Sequence, residues 1–300
     1  MRNIHTHSSG EYRIERVQPL LGTFVKIAIS DLEDASAHQA IDQGFAAIAL
    51  IHRLMSFHEP DSDTSRLNRE ASIAPVTIHR HTADVIRLAQ EISAASAGIF
   101  DITVASRLVE WRYLPAPPNA PAPDPEADWS DIEFVEPDRI RFRRPLWIDL
   151  GGIAKGYAVD TAIESMALPA LVRCHVNAGG DLRIAGPAAE QVLLQVPGHS
   201  ERELPMIEIA AGSIASSTSA MTRQLVHSDW VGPHVHGNER CAVDTERFAS
   251  VVAERCAVAD ALTKVVLAAG REASAVLNQF DATAYLYDRD GSWQTLGRDS

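Results

Sequence analysis

Hydrophobic positions along the chain change period several times, and each change marks an element. Residues 34–55 are alanine-rich with apolar side chains at helical spacing, which predicts a helix ending near Met55. Residues 82–97 repeat the pattern and run out at Gly98, a usual place for a helix to stop. Residues 18–30 read instead as a strand after a turn. Further strand-like runs lie at 131–136, 138–143, 146–150, 171–177, 181–185, 191–196, 205–210, 248–253 and 282–287. The pair Gly179-Gly180 between two of them is a hairpin signal. Helices are expected over 258–269 and 271–278. Ser56 to Asn68 reads as a polar loop with turn residues Pro60, Asp61 and Asp63. Six prolines between 113 and 127 make a stiff surface loop, read as an insertion between two parts of one fold. Hairpins beside long helices place the chain in the α+β class rather than among doubly wound sheets.

The segment Ile148 to Asp160 departs most from a plain structural pattern. An apolar run ends in Asp149, Gly151-Gly152 follow, and helical spacing then runs from Ala154 through Tyr157, Ala158, Thr161 and Ala162. Lys155 falls in the first turn of that helix, where the helix dipole disfavours a cation. Two readings fit: a solvated lysine beside an ordinary tight turn, or an anion site in which phosphate meets the free N–H groups. The segment is neither a Walker A loop nor a dinucleotide fingerprint, because no Gly-Lys-Ser/Thr and no Gly-x-Gly-x-x-Gly is present.

Charge and composition narrow the partners. The chain carries 27 Lys+Arg against 40 Asp+Glu, a formal charge of −13, which disfavours nucleic acid or an anionic membrane surface. A hydrophobic fraction of 46% supports a real core in a globular protein. No apolar run reaches the roughly 20 residues that span a bilayer. The first ten residues lack the apolar stretch of a secretory signal and any lipid-attachment cysteine. Cys174, Cys241 and Cys256 are sparse, odd in number and without CxxC pairing, which suits reduced thiols in a cytoplasm.

Five segments put polar residues at the ends of apolar runs. They are Met55 to Asn68, Phe100-Asp101-Ile102-Thr103, the segment at 148–160, Asn177-Ala178-Gly179-Gly180-Asp181, and Val258-Ala259-Asp260-Ala261-Leu262. In this order they resemble the ApbE family, flavin transferases that move FMN from FAD onto a protein. The resemblance runs from about Leu20 to about Gly270, and its most specific parts are 148–160 and the Asn-x-Gly-Gly-Asp turn.

The resemblance implies a single α+β, T-fold-related domain with mixed or antiparallel sheets and flanking helices. It would span residues 16–300 after a flexible N-terminus at 1–15. It also implies a deep FAD pocket. Leu21 stands where a methionine is usual, Phe57 where an aromatic lies beside the flavin, and Lys155 where a residue contacts FAD. Phe100, Asp101 and Ile102 match the Phe-Asp-x-Thr motif, and Asp149 the aspartate before the double glycine. Asn177 and Asp181 bracket the glycine turn, and Ser217 falls in a hydroxyl-rich stretch near the phosphates. By the same resemblance the Gly152 carbonyl and Asp260 ligate Mg2+. A hard cation with oxygen ligands offsets pyrophosphate charge and orients in-line attack.

Two departures stand out. The family's threonine four residues after the aspartate is replaced by Lys264, and Thr263 comes one position early. Either Thr263 takes over as a metal ligand, or the Lys264 ammonium sits where the metal charge would be. The family's His-Ile-x-Asp-Pro segment is also degraded: His234 and His236 are the candidates for its histidine, and the Asp-Pro is missing. His227, Asp229, His234 and His236 admit a separate transition-metal site, against solvated loop histidines.

The leading reading is a cytoplasmic FAD:protein FMN transferase. A Ser or Thr hydroxyl of an acceptor flavoprotein attacks the FMN phosphorus, AMP leaves, and a base takes the proton. Asp260, His234 and His236 are the expected catalytic residues. Two alternatives keep the pocket: a pyrophosphatase splitting FAD into FMN and AMP, and a non-catalytic FAD-binding protein with a degraded metal site. Without the resemblance, an α+β enzyme of unassigned substrate remains.

Overall fold

The computed structural model of the protein describes residues 13–187, 189–200, 204–243 and 246–298. The chain opens with a hairpin, β1 (Arg13–Leu20) and β2 (Thr23–Ser30), followed by the long helix α1 (Asp34–Met55). A lobe of mixed structure follows. It contains α2 (Asp63–Glu70), β3 (Val76–Thr77), α3 (Arg80–Ala95), α4 (Ala105–Glu110), β4 (Ile132–Glu136) and β5 (Arg139–Phe142). Helix α5 (Ala154–Met166) leads back to β6 (Arg173–Ala178) and β7 (Asp181–Ala185). Next come a small hairpin of β8 (Glu190–Leu193) and β9 (Met206–Ile209), then β10 (Gly212–Thr218) and a ribbon of β11 (Gln224–Val226) and β12 (Asp229–Val231). The chain closes with β13 (Phe248–Ala253), α6 (Cys256–Ala269), α7 (Ser274–Gln279), β14 (Thr283–Tyr287) and β15 (Trp293–Gly297).

One eight-stranded sheet carries the fold, in the order β1-β2-β6-β7-β10-β13-β14-β15, with every neighbouring pair antiparallel. Strand alternation divides its residues between two faces. Ala215 and Val251 join the core made with α1, α5 and α6, whereas Ile214 and Phe248 join Leu182, Val192 and Ile209 beneath the β8–β9 hairpin. The fold is therefore α+β with antiparallel sheets, as expected. Among the described residues, no helix is long and apolar enough to cross a membrane.

Helices α5 and α6 hold each other by their N-termini. Asp160 of α5 accepts from Cys256 N (2.9 Å) and Ala257 N (3.0 Å), the first amides of α6. Asp260 of α6 accepts from Gly156 N (3.1 Å) in the first turn of α5. Both carboxylates are buried, and each satisfies amides that a helix start leaves without partners. The approach is close because Gly156 has no side chain. A Cβ there would strike the Cys256 carbonyl and lie 2.8 Å from Ala257 N.

Several expectations are corrected. Residues 18–30 are two strands, because Leu21 (φ 56°) and Gly22 (φ 71°) are both left-handed and turn Leu20 back onto Thr23. Residues 146–150 join no sheet. The Asn68 side chain bonds both Ile148 N (2.7 Å) and Ile148 O (3.0 Å), and Asp149 N bonds Ile102 O (2.8 Å), so the segment's polar groups are satisfied without a ladder. The polar loop at 56–68 turns into α2 once the Ser62 hydroxyl caps Ser65 N. The helix expected at 271–278 is a 3-10 turn at Gly270–Ala273 followed by α7. The segment expected to be flexible, 1–15, lies outside the described residues up to 12, and residues 13–15 already belong to β1.

Gly156→Ala should therefore destabilise the protein by about 2 kcal/mol through overpacking at the α5–α6 contact. Urea unfolding measures this; a change under about 0.5 kcal/mol would mean the helices can part without cost.

Candidate active site

At the α5–α6 contact, four charged side chains alternate in sign. Lys155, in the first turn of α5, pairs with Asp181 at the start of β7 and lies 3.7 Å from Asp260 Oδ2. Lys264, one turn after Asp260 on α6, pairs with Asp260 Oδ1 and donates to the Asp260 carbonyl (2.9 Å). The order is thus Asp181–Lys155–Asp260–Lys264, with both carboxylates fully buried. Burial opposes charge on Lys155 and Asp260, and the neighbouring charges of the cluster outweigh it. Asp181 and Asp260 outweigh burial at Lys155 and keep its ammonium protonated. Lys155 and Lys264 hold the Asp260 carboxyl below the usual carboxylate range despite burial. Asp181 is pushed up to about 6, by burial first and then by Asp260.

The anomaly of Lys155 against its helix dipole is thereby resolved. Its ammonium turns to two carboxylates rather than standing alone at the helix start. Gly152, in the turn before α5, lies against the same cluster: a Cβ there would be 3.6 Å from both Lys264 Cε and Phe100 Cε2. Asp149, raised by burial, receives Gly151 N (3.2 Å), with His58 and Lys264 near enough to offset part of the rise. Phe57 stands edge-on to His58, with ring centroids 6.4 Å apart.

His234 lies near enough to the cluster to feel the charges of Lys264, Lys155 and Asp260. Burial, then Lys264 and Lys155, push the His234 imidazole down to about 3, so it is neutral with a lone pair to offer. His236 instead receives Glu239 N (3.3 Å) within its own loop. That loop is fastened to the lobe: Gly237 N bonds Ile99 O (2.9 Å), and Arg240 bonds Asp101 Oδ2 (2.9 Å), Thr103 Oγ1 and the Ala127 carbonyl. Thr103 takes the other Asp101 oxygen, so Asp101 works here as a bracket under the histidine loop. Ile102 is buried, and its carbonyl secures Asp149. Among the described residues, no three His, Cys, Asp or Glu side chains gather to hold a metal ion, so the loop histidines form no transition-metal site there.

On the opposite sheet face lies a cavity of about 320 Å3. Phe24, Val17, Leu193 and Phe248 give it apolar walls, and Asn177, Ser216 and Thr218 supply polar groups. The turn Gly179-Gly180 connects the two regions. Asn177, opposite Leu182, belongs to the cavity face, and Asp181, opposite Ala178, belongs to the helix face. Both glycines are left-handed, and a Cβ on Gly179 would lie 2.6 Å from Thr23 Oγ1. Leu21 sits in the neighbouring β1–β2 turn.

The family-implied magnesium donors do not fit a metal in this chain. Asp260 Oδ1 is engaged by Lys264. Thr263 is fully buried, donates to the Asp260 carbonyl (2.7 Å) and shares a hydrogen bond with Ser217 Oγ (2.8 Å), which turns its hydroxyl into the helix–sheet contact. Sequence reasoning missed Asn68, Asp160 and Arg240. All three act across long sequence separations, and none has a local signal.

An antiparallel sheet backed by helices, with a charged cluster and an apolar cavity meeting at one hairpin turn, defines an α+β small-molecule-binding protein. More specifically, the ApbE family profile matches residues 21–286, and the chain belongs to that family. An FAD:protein FMN transferase of Vibrio cholerae is 26% identical over 255 residues, covering 79% of this chain and 76% of the relative. One of Treponema pallidum is 24% identical over 306 residues, covering 91% and 83%. The crystal structure of the ApbE protein of Thermotoga maritima has the same fold, with a TM-score of 0.82 at 22% identity, covering 94% of this chain and 96% of that one.

Replacing Asp260 by Ala removes the carboxylate partner of Lys264 and the acceptor of the Gly156 amide, and leaves Lys155 with Asp181 alone. The expected loss is roughly 3 kcal/mol, read by urea unfolding, because a buried pair broken on one side strands the other charge. A neutral result would show that the lysines find water instead.

Proposed function

We propose that this chain is an FAD:protein FMN transferase and that residues 16–300 form its one catalytic domain. The observation that carries the reading is the alternating charge cluster at the turn that also borders an apolar cavity. FAD has this build: planar apolar rings at its ends and a pyrophosphate between them. The cavity suits a ring system, with Asn177 and Ser217 at its border. Lys155 and Lys264 supply cationic N–H donors for the pyrophosphate. Phe57, Phe100 and Leu21 are assigned to the flavin side by family resemblance.

In the reaction, a Ser or Thr hydroxyl oxygen of an acceptor flavoprotein forms a bond to the FMN phosphorus while the bond from that phosphorus to the AMP oxygen breaks. His234 takes the hydroxyl proton, since its neutral imidazole lies near the cluster. Burial first, and then Lys264 and Lys155, keep His234 a weak base; pyrophosphate charge beside the two lysines offsets their share, so substrate binding raises its basicity. Asp260 orients the two lysines. No step runs through magnesium, because the Asp260 and Thr263 oxygens expected to hold it are engaged within the protein. Cys174, Cys241 and Cys256 are all free thiols, which fits a reducing compartment such as the cytoplasm.

Incubation with FAD and a candidate acceptor domain tests the reading by acceptor mass. An FMN adduct with release of AMP is expected; FMN and AMP without an adduct mean hydrolysis, and intact bound FAD means binding alone. His234→Ala should slow adduct formation by about a hundredfold or more while FAD still binds. His236→Ala should stay within several-fold of the native rate; the reverse ranking would transfer the base role to His236.

A further inference from the structure

Lys264 is an unusual side chain for its place. It stands one helical turn after Asp260, on the same face of α6, with only 14% of its side chain exposed. A lysine this buried needs partners, and it has two on one residue: the carboxylate oxygen and the main-chain carbonyl of Asp260. Its aliphatic stem lies beside Gly152. The ammonium therefore occupies the space between Asp260 and the Gly151-Gly152 turn. The family resemblance assigns that space to a divalent cation held by Asp260 and the Gly152 carbonyl.

The rest of the donor set agrees. The neighbouring hydroxyl, Thr263, is spent on the Asp260 carbonyl and Ser217. A divalent ion on Asp260 Oδ1 would share that oxygen with an ammonium already in contact with it, and two cations on one buried oxygen repel strongly. Lysine carries three N–H donors. Two are used on Asp260, which leaves one for an incoming anionic oxygen.

We propose that Lys264 is the resident cation of this pocket: its ammonium supplies to the FAD pyrophosphate the positive charge that a divalent metal would supply, and flavin transfer here needs no such metal. The proposal rests on the flavin-transfer reading. The ammonium neutralises phosphate charge as the phosphorus–AMP bond breaks, and the acceptor's proton goes to His234. Lys264 is then a catalytic residue that touches substrate, not a packing substitute for threonine.

The test compares FAD binding, followed by flavin fluorescence, for the native full-length chain and Lys264→Thr, each in EDTA and in excess Mg2+. For the native chain the affinity should be the same in both buffers within about twofold. Lys264→Thr should bind FAD about tenfold or more weakly in EDTA, as expected for loss of a charge-assisted contact, and recover when Mg2+ is added. Mn2+ spin resonance gives a second readout: with FAD present, the native chain should leave the free Mn2+ signal unchanged and Lys264→Thr should reduce it. The native arm needs no variant to fold. Native affinity rising tenfold with Mg2+, or Mn2+ captured by the native chain, would overturn the proposal while leaving the flavin reading intact. Failure of the native chain to bind FAD in either buffer would remove the flavin reading, and the proposal with it.

Discussion

The site depends on the reciprocal grip of α5 and α6. Each helix presents an N-terminus with unsatisfied amides, and each receives a carboxylate from the other, Asp160 in one direction and Asp260 in the other. The absence of a side chain at Gly156 lets the backbones approach closely enough for both bonds to form. Nearly every residue assigned to the proposed chemistry hangs from this contact. Lys155 is in the first turn of one helix, Lys264 is one turn along the other, and the Gly151-Gly152 turn leads into the first. Stability and function are coupled there, since Asp260 is at once the cap of α5 and the hub of the charge cluster.

The cluster also follows from burial. Asp181 and Asp260 are removed from water, so each requires a cation, and the two lysines require the carboxylates in turn. Four charges held in alternating order by two helices and a hairpin turn make a preorganised electrostatic surface. The neutral His234 beside it and the cavity across the sheet complete a site suited to a dinucleotide with an anionic centre. The Asp101–Arg240 bracket holds the histidine loop in the absence of the family's Asp-Pro.

Much of this was legible in the sequence where a period or a turn residue marks it. The helix over 34–55 follows its apolar spacing to the last residue, and the Gly179-Gly180 hairpin follows from its glycines. The strand β10 was not legible: its Gly-Ser-Ile-Ala-Ser-Ser-Thr sequence is small and polar because α6 packs close on one face, and small residues carry no strand signal. The run at 146–150 looked like a strand because it is apolar and extended, yet a distant asparagine satisfies its backbone. For the site, Asp260, Lys155, Asp181 and Lys264 could be singled out by resemblance. Their joining into one chain of charges could not, because it depends on an interhelical contact spanning about a hundred residues of sequence. The different surroundings of His234 and His236 likewise follow from the loop's path.

The most direct measurement is a crystal structure of the full chain with FAD bound, grown in Mn2+ and examined at the manganese absorption edge. Lys264 Nζ is expected within about 3 Å of a pyrophosphate oxygen, with no anomalous peak at Asp260. A manganese peak coordinated by Asp260 Oδ1 and the Gly152 carbonyl, with Lys264 swung away, would contradict it.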